Sequence, residues 1–183
     1  MNKVLIVIDA QEDFTRGALH NSDAVKALPI IKDIVEYAEN NNFDIFYTMD
    51  THFMTVGLNY LETQEGKNLP VPHCIYESPG WYRCPEVIGI KNHEIIIKHT
   101  FGYSEWESRL SGKPDEIWLC GFCTDICVSA NFQILKAIRP ETPIVVIQDA
   151  CAGVTPKLHK AALDVMKSCQ AKIIEWSDLK NEH

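Results

Sequence analysis

With 183 residues, 46% of them hydrophobic and 23% charged, the chain suits one globular domain spanning 1–183 with a single substantial core. Its formal net charge of -8 argues against nucleic acid or an anionic membrane surface, since both select clustered Lys and Arg, and makes a small molecule the expected partner. Seven cysteines are an odd number in a chain too large to need disulfide staples and fit reduced thiols, while MNK running straight into VLIVID, with no basic region or long apolar stretch, points to the cytoplasm.

The first apolar run, Val4 to Ile8, reads as a buried strand and ends on Asp9. A carboxylate there suits a general base, or more plainly a polar strand terminus or helix cap. Ile30, Ile31, Ile34, Val35 and Ala38 have helical spacing, which predicts a helix with Pro29 at its first position and a stop at Asn40 to Asn42. A second strand, Phe43 to Met49, leads into Asp50, Thr51 and His52. With His73 in a Pro-rich turn, Asp50 and His52 make one oxygen and two imidazole ligands, a set compatible with zinc, iron or manganese. Glu65 or Glu62 could add a carboxylate. The plainer reading is a polar surface loop, and His20, His93, His99, His159 and His183 are placed in that class. The irregular stretch from 51 to 90 is long enough to expect a functional loop.

Ile95 to Ile97 predict a third strand ending on Lys98, which should be partly desolvated there. A short helix over Ser104 to Leu110 follows, then a strand at Ile117 to Cys120. GFCTDICV, residues 121–128, turns from that strand into the next helix, with Cys127 in its first turn, where free N–H groups and the helix dipole favour a thiolate and can bind an oxyanion. The alternative is a buried structural thiol. Cys120 reads as core; Cys74, Cys84, Cys151 and Cys169 have no evident chemical partner; and the C-x2-C-x3-C set of Cys120, Cys123 and Cys127 lacks a fourth zinc ligand. The helix after Cys127 stops at Pro140, a strand follows at Ile144 to Ile147, a helix at Pro156 to Ser168, and a last strand at Lys172 to Trp176.

Strict alternation of strand and helix predicts an α/β fold, a three-layer α/β/α sandwich on a six-stranded, mainly parallel sheet. Such sheets gather ligands beyond the carboxyl ends of their strands, which would bring Asp9, Lys98 and Cys127 together as an acid, a cation and a thiol, a nucleophile with its activators.

The motifs D-A-Q-E-D-F at 9–14, D-T-H at 50–52, P-H-C at 72–74, Lys98 with Tyr103-Ser104, and G-F-C-T-D-I-C-V at 121–128 resemble the nicotinamidase and isochorismatase-like cysteine hydrolases over most of the chain. The resemblance implies the isochorismatase-like hydrolase fold, an Asp9, Lys98, Cys127 triad, an acyl-enzyme on Cys127, and a cis peptide between Phe122 and Cys123 that joins the Cys123 and Cys127 amides as oxyanion donors. It implies Phe14, Phe101 and Phe122 against the substrate, with Trp81, Tyr82 and Trp106 as further aromatics or core. It also implies a divalent metal, zinc first, on Asp50, His52 and His73, a small amide such as nicotinamide as substrate, and a homo-oligomer. N-L-P-V-P-H at 68–73 departs from the family in lacking a tryptophan before the final histidine. Other carboxamides, carbamates or isochorismate-like substrates are the alternatives, as is a non-catalytic binding protein that kept the fold.

Overall fold

The computed structural model describes residues 2–110 and 112–182. In chain order the elements are β1 (Lys3–Ile8), α1 (Glu12–Thr15), α2 (Ser22–Asn40), β2 (Asp44–Asp50), β3 (Met54–Thr55), β4 (Leu58–Asn59), α3 (Gln64–Asn68) and β5 (Glu94–Lys98). There follow α4 (Trp106–Arg109), β6 (Glu116–Phe122), α5 (Ser129–Ile138), β7 (Ile144–Ala152), α6 (Pro156–Ser168), β8 (Lys172–Ile174) and α7 (Trp176–Glu182). The main sheet has the order β5-β2-β1-β6-β7-β8, and every pairing in it is parallel. All six expected strands are present, and the short antiparallel β3–β4 pair falls within the expected long loop.

Register shows how the layers form. Leu5 aligns with Ile45 and with Trp118, so these side chains share a face, and Trp118 meets Tyr37 of α2 and Trp176 of α7 at ring distances of 5.9 and 6.0 Å. Ile6 aligns with Phe46 and Leu119 on the opposite face, where Phe46 meets Trp106 of α4 at 5.9 Å. Asn131 on α5 accepts the Trp106 indole N–H at 2.8 Å, and α6 packs beside α5. Helices therefore cover both faces, which is why β1 is buried at all six positions and reads as one apolar run.

Local boundaries differ from the sequence expectation where side chains overrule propensity. Helix α2 begins seven residues before Pro29 because Asn21 caps it, accepting the N–H groups of Asp23 and Ala24. Pro29 sits inside the helix, since an apolar stripe continues on both sides of it, from Ala24, Ala27 and Leu28 to Ile31, Ile34 and Val35; burial of that stripe outweighs one missing helical hydrogen bond. Trp176 does not end a strand. Its N–H donates to Asp149 and its indole to Asp33 at 2.9 and 2.6 Å, and it opens α7.

Gly121 is required by its conformation and by space. Its φ is +117°, and a Cβ would lie 2.0 Å from the Ile8 carbonyl oxygen, so β1 and β6 approach closely only because no side chain intervenes. The following Phe122–Cys123 peptide is cis.

Candidate active site

β1 and β6 are neighbours at the point where the chain switches from building one half of the sheet to the other. Crevices form above the carboxyl ends at such points. Asp9 directly follows β1, Asp50 and Lys98 are the last residues of β2 and β5, and Cys127 lies in a π-helical turn, Thr124–Val128, just beyond β6. These elements are adjacent, so the four side chains converge.

Lys98 is the hub. Its Nζ lies 2.6 Å from Asp9 Oδ2, 3.4 Å from Asp50 Oδ1 and 3.5 Å from Cys127 Sγ, and all four residues are less than 5% exposed. Thr48 fixes Asp9 by donating its hydroxyl to Oδ1 at 2.6 Å and accepting the Asp9 N–H at 3.1 Å, which holds Asp9 at the left-handed φ of 48°. Burial raises the Asp9 pKa against the pull of Lys98, with Asp50 adding to the rise. Burial would lower Lys98, but Asp9, Cys127 and Asp50 hold it well above its ordinary value.

Two influences oppose each other at Cys127. Burial pushes its thiol well above the usual range; Lys98 opposes this, while Asp9 and Asp50 reinforce it. Burial first, and the two carboxylates after it, thus oppose the thiolate that a helical first turn favours. The thiol proton must go to a neighbouring base.

Asp50 Oδ2, His52 Nε2, His73 Nε2 and a Glu65 carboxylate oxygen form the second cluster, all within 4.8 Å of one another. His52 Nε2 is 2.9 Å from Asp50 and 3.5 Å from Glu65, and His73 Nε2 is 3.6 and 3.5 Å from the same groups. His73 Nδ1 lies 2.8 Å from the Val71 carbonyl; donation there directs Nε2 at the cluster, as a metal-binding imidazole requires. Two nitrogens and two oxygens suit zinc, iron or manganese. Glu65, not the exposed Glu62, supplies the fourth donor, because α3 presents it over the histidines. Burial works against protonating His73, yet contacts with Asp50 and Glu65 raise its pKa to about 10. A metal must displace that proton, so metal affinity is expected to strengthen as pH rises from 6 to 9 in a zinc titration. The metal-free protein should lose stability over the same rise, since a raised histidine pKa stabilises below its ordinary value of 6.5 and ceases to do so as pH passes about 10.

Both clusters open into one cleft of about 1090 Å³. Phe14 and Phe101 line it with Cys123 and Cys127, and Phe14 meets the His73 ring edge-on at 5.7 Å. Phe122 does not line it; it is fully buried in the core cluster, where strand β6 still pairs with β7 at this residue. Trp106 is likewise core, and Trp81 donates its indole N–H to Thr51 Oγ1 at 2.8 Å. His20 and His99, read from sequence as loop residues, both line the cleft.

Two fully buried amides escaped the sequence reading. Gln11 accepts the Asp50 N–H at 2.8 Å and donates to the Asp50 and Trp81 carbonyls at 2.9 and 2.7 Å, clamping the residue whose carboxylate faces the histidines to the loop beyond. Asn131 donates to the Cys127 carbonyl at 2.8 Å and to that of Phe101 at 3.2 Å. Nothing in a sequence marks a glutamine whose partners lie 39 and 70 positions away. Gln11→Ala leaves buried backbone groups unpaired, each costing about 1–3 kcal/mol. A lower Tm together with weaker metal binding is expected, and unchanged values in both would remove the clamp.

A family model described as the Isochorismatase domain matches residues 3–178. No curated protein matches the chain. The pyrazinamidase of Pyrococcus horikoshii in complex with zinc is similar, with TM-score 0.82 and 25% identity over 96% of this chain and 99% of that one. The nicotinamidase/pyrazinamidase of Bacillus subtilis has TM-score 0.81 and 24% identity over 96% and 100%, and the N-carbamoylsarcosine amidase of Thermoplasma acidophilum has TM-score 0.77 and 22% identity over 96% and 97%; at these identities the likeness concerns the fold. With a family model matched over nearly its whole length, the chain belongs to the isochorismatase family of hydrolases.

Proposed function

We propose that this hydrolase is a cysteine amidohydrolase that cleaves a small amide through an acyl-enzyme on Cys127, with nicotinamide as the leading substrate and nicotinate and ammonia as products. One observation carries the reading: Lys98 Nζ reaches both the Asp9 carboxylate and the Cys127 sulfur, at 2.6 and 3.5 Å. A thiol, a base with raised proton affinity and a buried cation at the floor of one cleft form an activated nucleophile.

In this reading Asp9 takes the Cys127 proton as sulfur attacks the amide carbon. Backbone N–H groups of Cys123 and Cys127 receive the developing oxyanion. Asp9 returns the proton to the amide nitrogen as the C–N bond breaks and ammonia leaves. Water then attacks the thioester, giving a proton to Asp9; the carboxylic acid departs and the Cys127 thiol is restored. Lys98 stays charged throughout and keeps Asp9 oriented. Phe14 and Phe101 wall the acyl group.

Asp50, His52, His73 and Glu65 would hold a divalent ion, zinc in first place with iron or manganese also suited, which supplies a fixed positive charge to anchor a substrate lone pair beside Cys127. Seven unpaired thiols fit the reducing cytoplasm expected for such an enzyme.

The test is ammonia release from nicotinamide by protein as purified, after chelation, and after zinc is restored. Release that chelation suppresses by about 100-fold, the scale of lost metal-site function, and that zinc recovers supports the reading. Undiminished turnover by demonstrably metal-free protein would remove the metal from it.

A further inference from the structure

Resting on the amidohydrolase reading, the lining of the cleft narrows the substrate further. A volume of about 1090 Å³ lies just above the range of about 300–1,000 Å³ that encloses drug-sized ligands, and a single-ring amide leaves most of it unfilled. Beyond Cys127 and the four-donor cluster, the wall continues through Leu19, Ile126, Val154 and Pro156, an apolar surface that a larger acyl group would cover.

The charge around this wall is one-sided. Among the described residues lining the cleft there is no Lys or Arg, whereas Asp23, Asp50 and Glu65 are present. Lys98, beside Cys127, is buried and held by Asp9 and Asp50. Asp50 and Glu65 together would balance the charge of a divalent ion held by their cluster. Two helix starts face the cleft, at Ser22 and Pro156, but the protein caps both itself: Asn21 accepts the Asp23 and Ala24 N–H groups, and Thr155 accepts that of Leu158. Neither offers those N–H groups to an anion. A carboxylate carried into the apolar part of this wall would lose water and find no Lys or Arg to pair with among the described lining residues, only neutral side chains such as Ser22, Gln64 and Asn68 and the rings of His20 and His99 elsewhere in the cleft.

We infer that nicotinamide is the reacting core and not the whole of the physiological substrate, which is a neutral or cationic carboxamide whose acyl group extends beyond that one ring, and that Val154 helps to set this preference. Carboxylate-bearing amides and carbamoyl amino acids are thereby disfavoured.

The test compares nicotinamide with three sets of ring-substituted nicotinamides, whose side chains are of equal length and end in methyl, ammonium or carboxylate. Each chain is carried in turn at every free ring carbon, and ammonia release is measured on zinc-loaded protein. At the best ring position the methyl and ammonium compounds should exceed nicotinamide in kcat/KM by about tenfold, as a few buried methylenes give, and the carboxylate compound should fall about tenfold below its methyl counterpart. Val154→Trp should reduce the advantage of the methyl compound over nicotinamide, and Val154→Lys should raise the carboxylate compound relative to the methyl one. Release from nicotinamide alone, or a carboxylate compound as good as the methyl one, overturns this inference while leaving the amidohydrolase reading standing. No release from any compound overturns both. Ratios untouched by either Val154 variant remove Val154 from the specificity wall.

Discussion

Lys98→Met is expected to destabilise the protein by about 3–5 kcal/mol, the cost of leaving buried charge uncompensated, and to abolish turnover. Lys98 is the ammonium that pairs with Asp9 and Asp50, and those carboxylates are 0% and 3% exposed. Burial would raise Asp50, but Lys98, His52 and His73 together hold its pKa below the ordinary value. A depressed carboxylate stabilises above its ordinary pKa of 3.8 and loses that contribution as pH falls. Without Lys98, burial is left to raise Asp9 further, so the variant takes up a proton as pH falls from 7 and its deficit should be full at pH 7 and shrink toward pH 4, while wild-type Asp50 keeps its contribution until pH falls below 3.8. Lys98 itself lies well above 10.5, so its own charge persists through this window. Denaturant midpoints of both proteins at pH 4 and pH 7 measure the effect. A deficit under 1 kcal/mol at pH 7, or one that grows in acid, would contradict the ion-pair hub.

Cys127→Ala should lower kcat by about 10⁴-fold or more, as loss of a covalent nucleophile does, with stability changed by no more than about 1 kcal/mol. The backbone of this turn is held by Asn131, whose Nδ2 donates to the Cys127 carbonyl at 2.8 Å, and not by the thiol, so the cleft survives removal of sulfur. Cys123→Ala is the internal control. Its side chain meets the same cleft, but its assigned contribution is a backbone N–H, which alanine retains. Activity within about fivefold of wild type is expected for Cys123→Ala. Equal losses in the two variants would make Cys127 a packing residue and return the chain to the class of non-catalytic binding proteins.

Much of this site was legible because its residues sit where a parallel sheet delivers them. Apolar runs of β-branched residues marked the strands, and Asp9, Asp50 and Lys98 each closed such a run. Spacing could not separate Glu65 from Glu62; the turn of α3 decides that, and only the folded loop shows which oxygen faces the histidines. Pro29 misled because local propensity places proline at a helix start, while a stripe of seven buried residues from Ala24 to Ala38 carries the helix through it. Phe122 misled because neighbouring residues of one motif turn away from each other once the strand ends: Cys123 lines the cleft and Phe122 fills the core. The upward push on the Cys127 thiol comes first from its burial and then from Asp9 and Asp50, carboxylates more than seventy positions away, and no local pattern reports such surroundings.

The proposal stands or falls on a thioester at Cys127. Protein quenched in acid during turnover of its best amide substrate, digested and weighed by mass spectrometry, should carry the acyl mass on the peptide that contains Cys127, and the adduct should vanish when substrate is exhausted. An unmodified Cys127 throughout turnover, together with sustained ammonia release by Cys127→Ala, would contradict a cysteine acyl-enzyme and leave direct attack by water as the chemistry of this cleft.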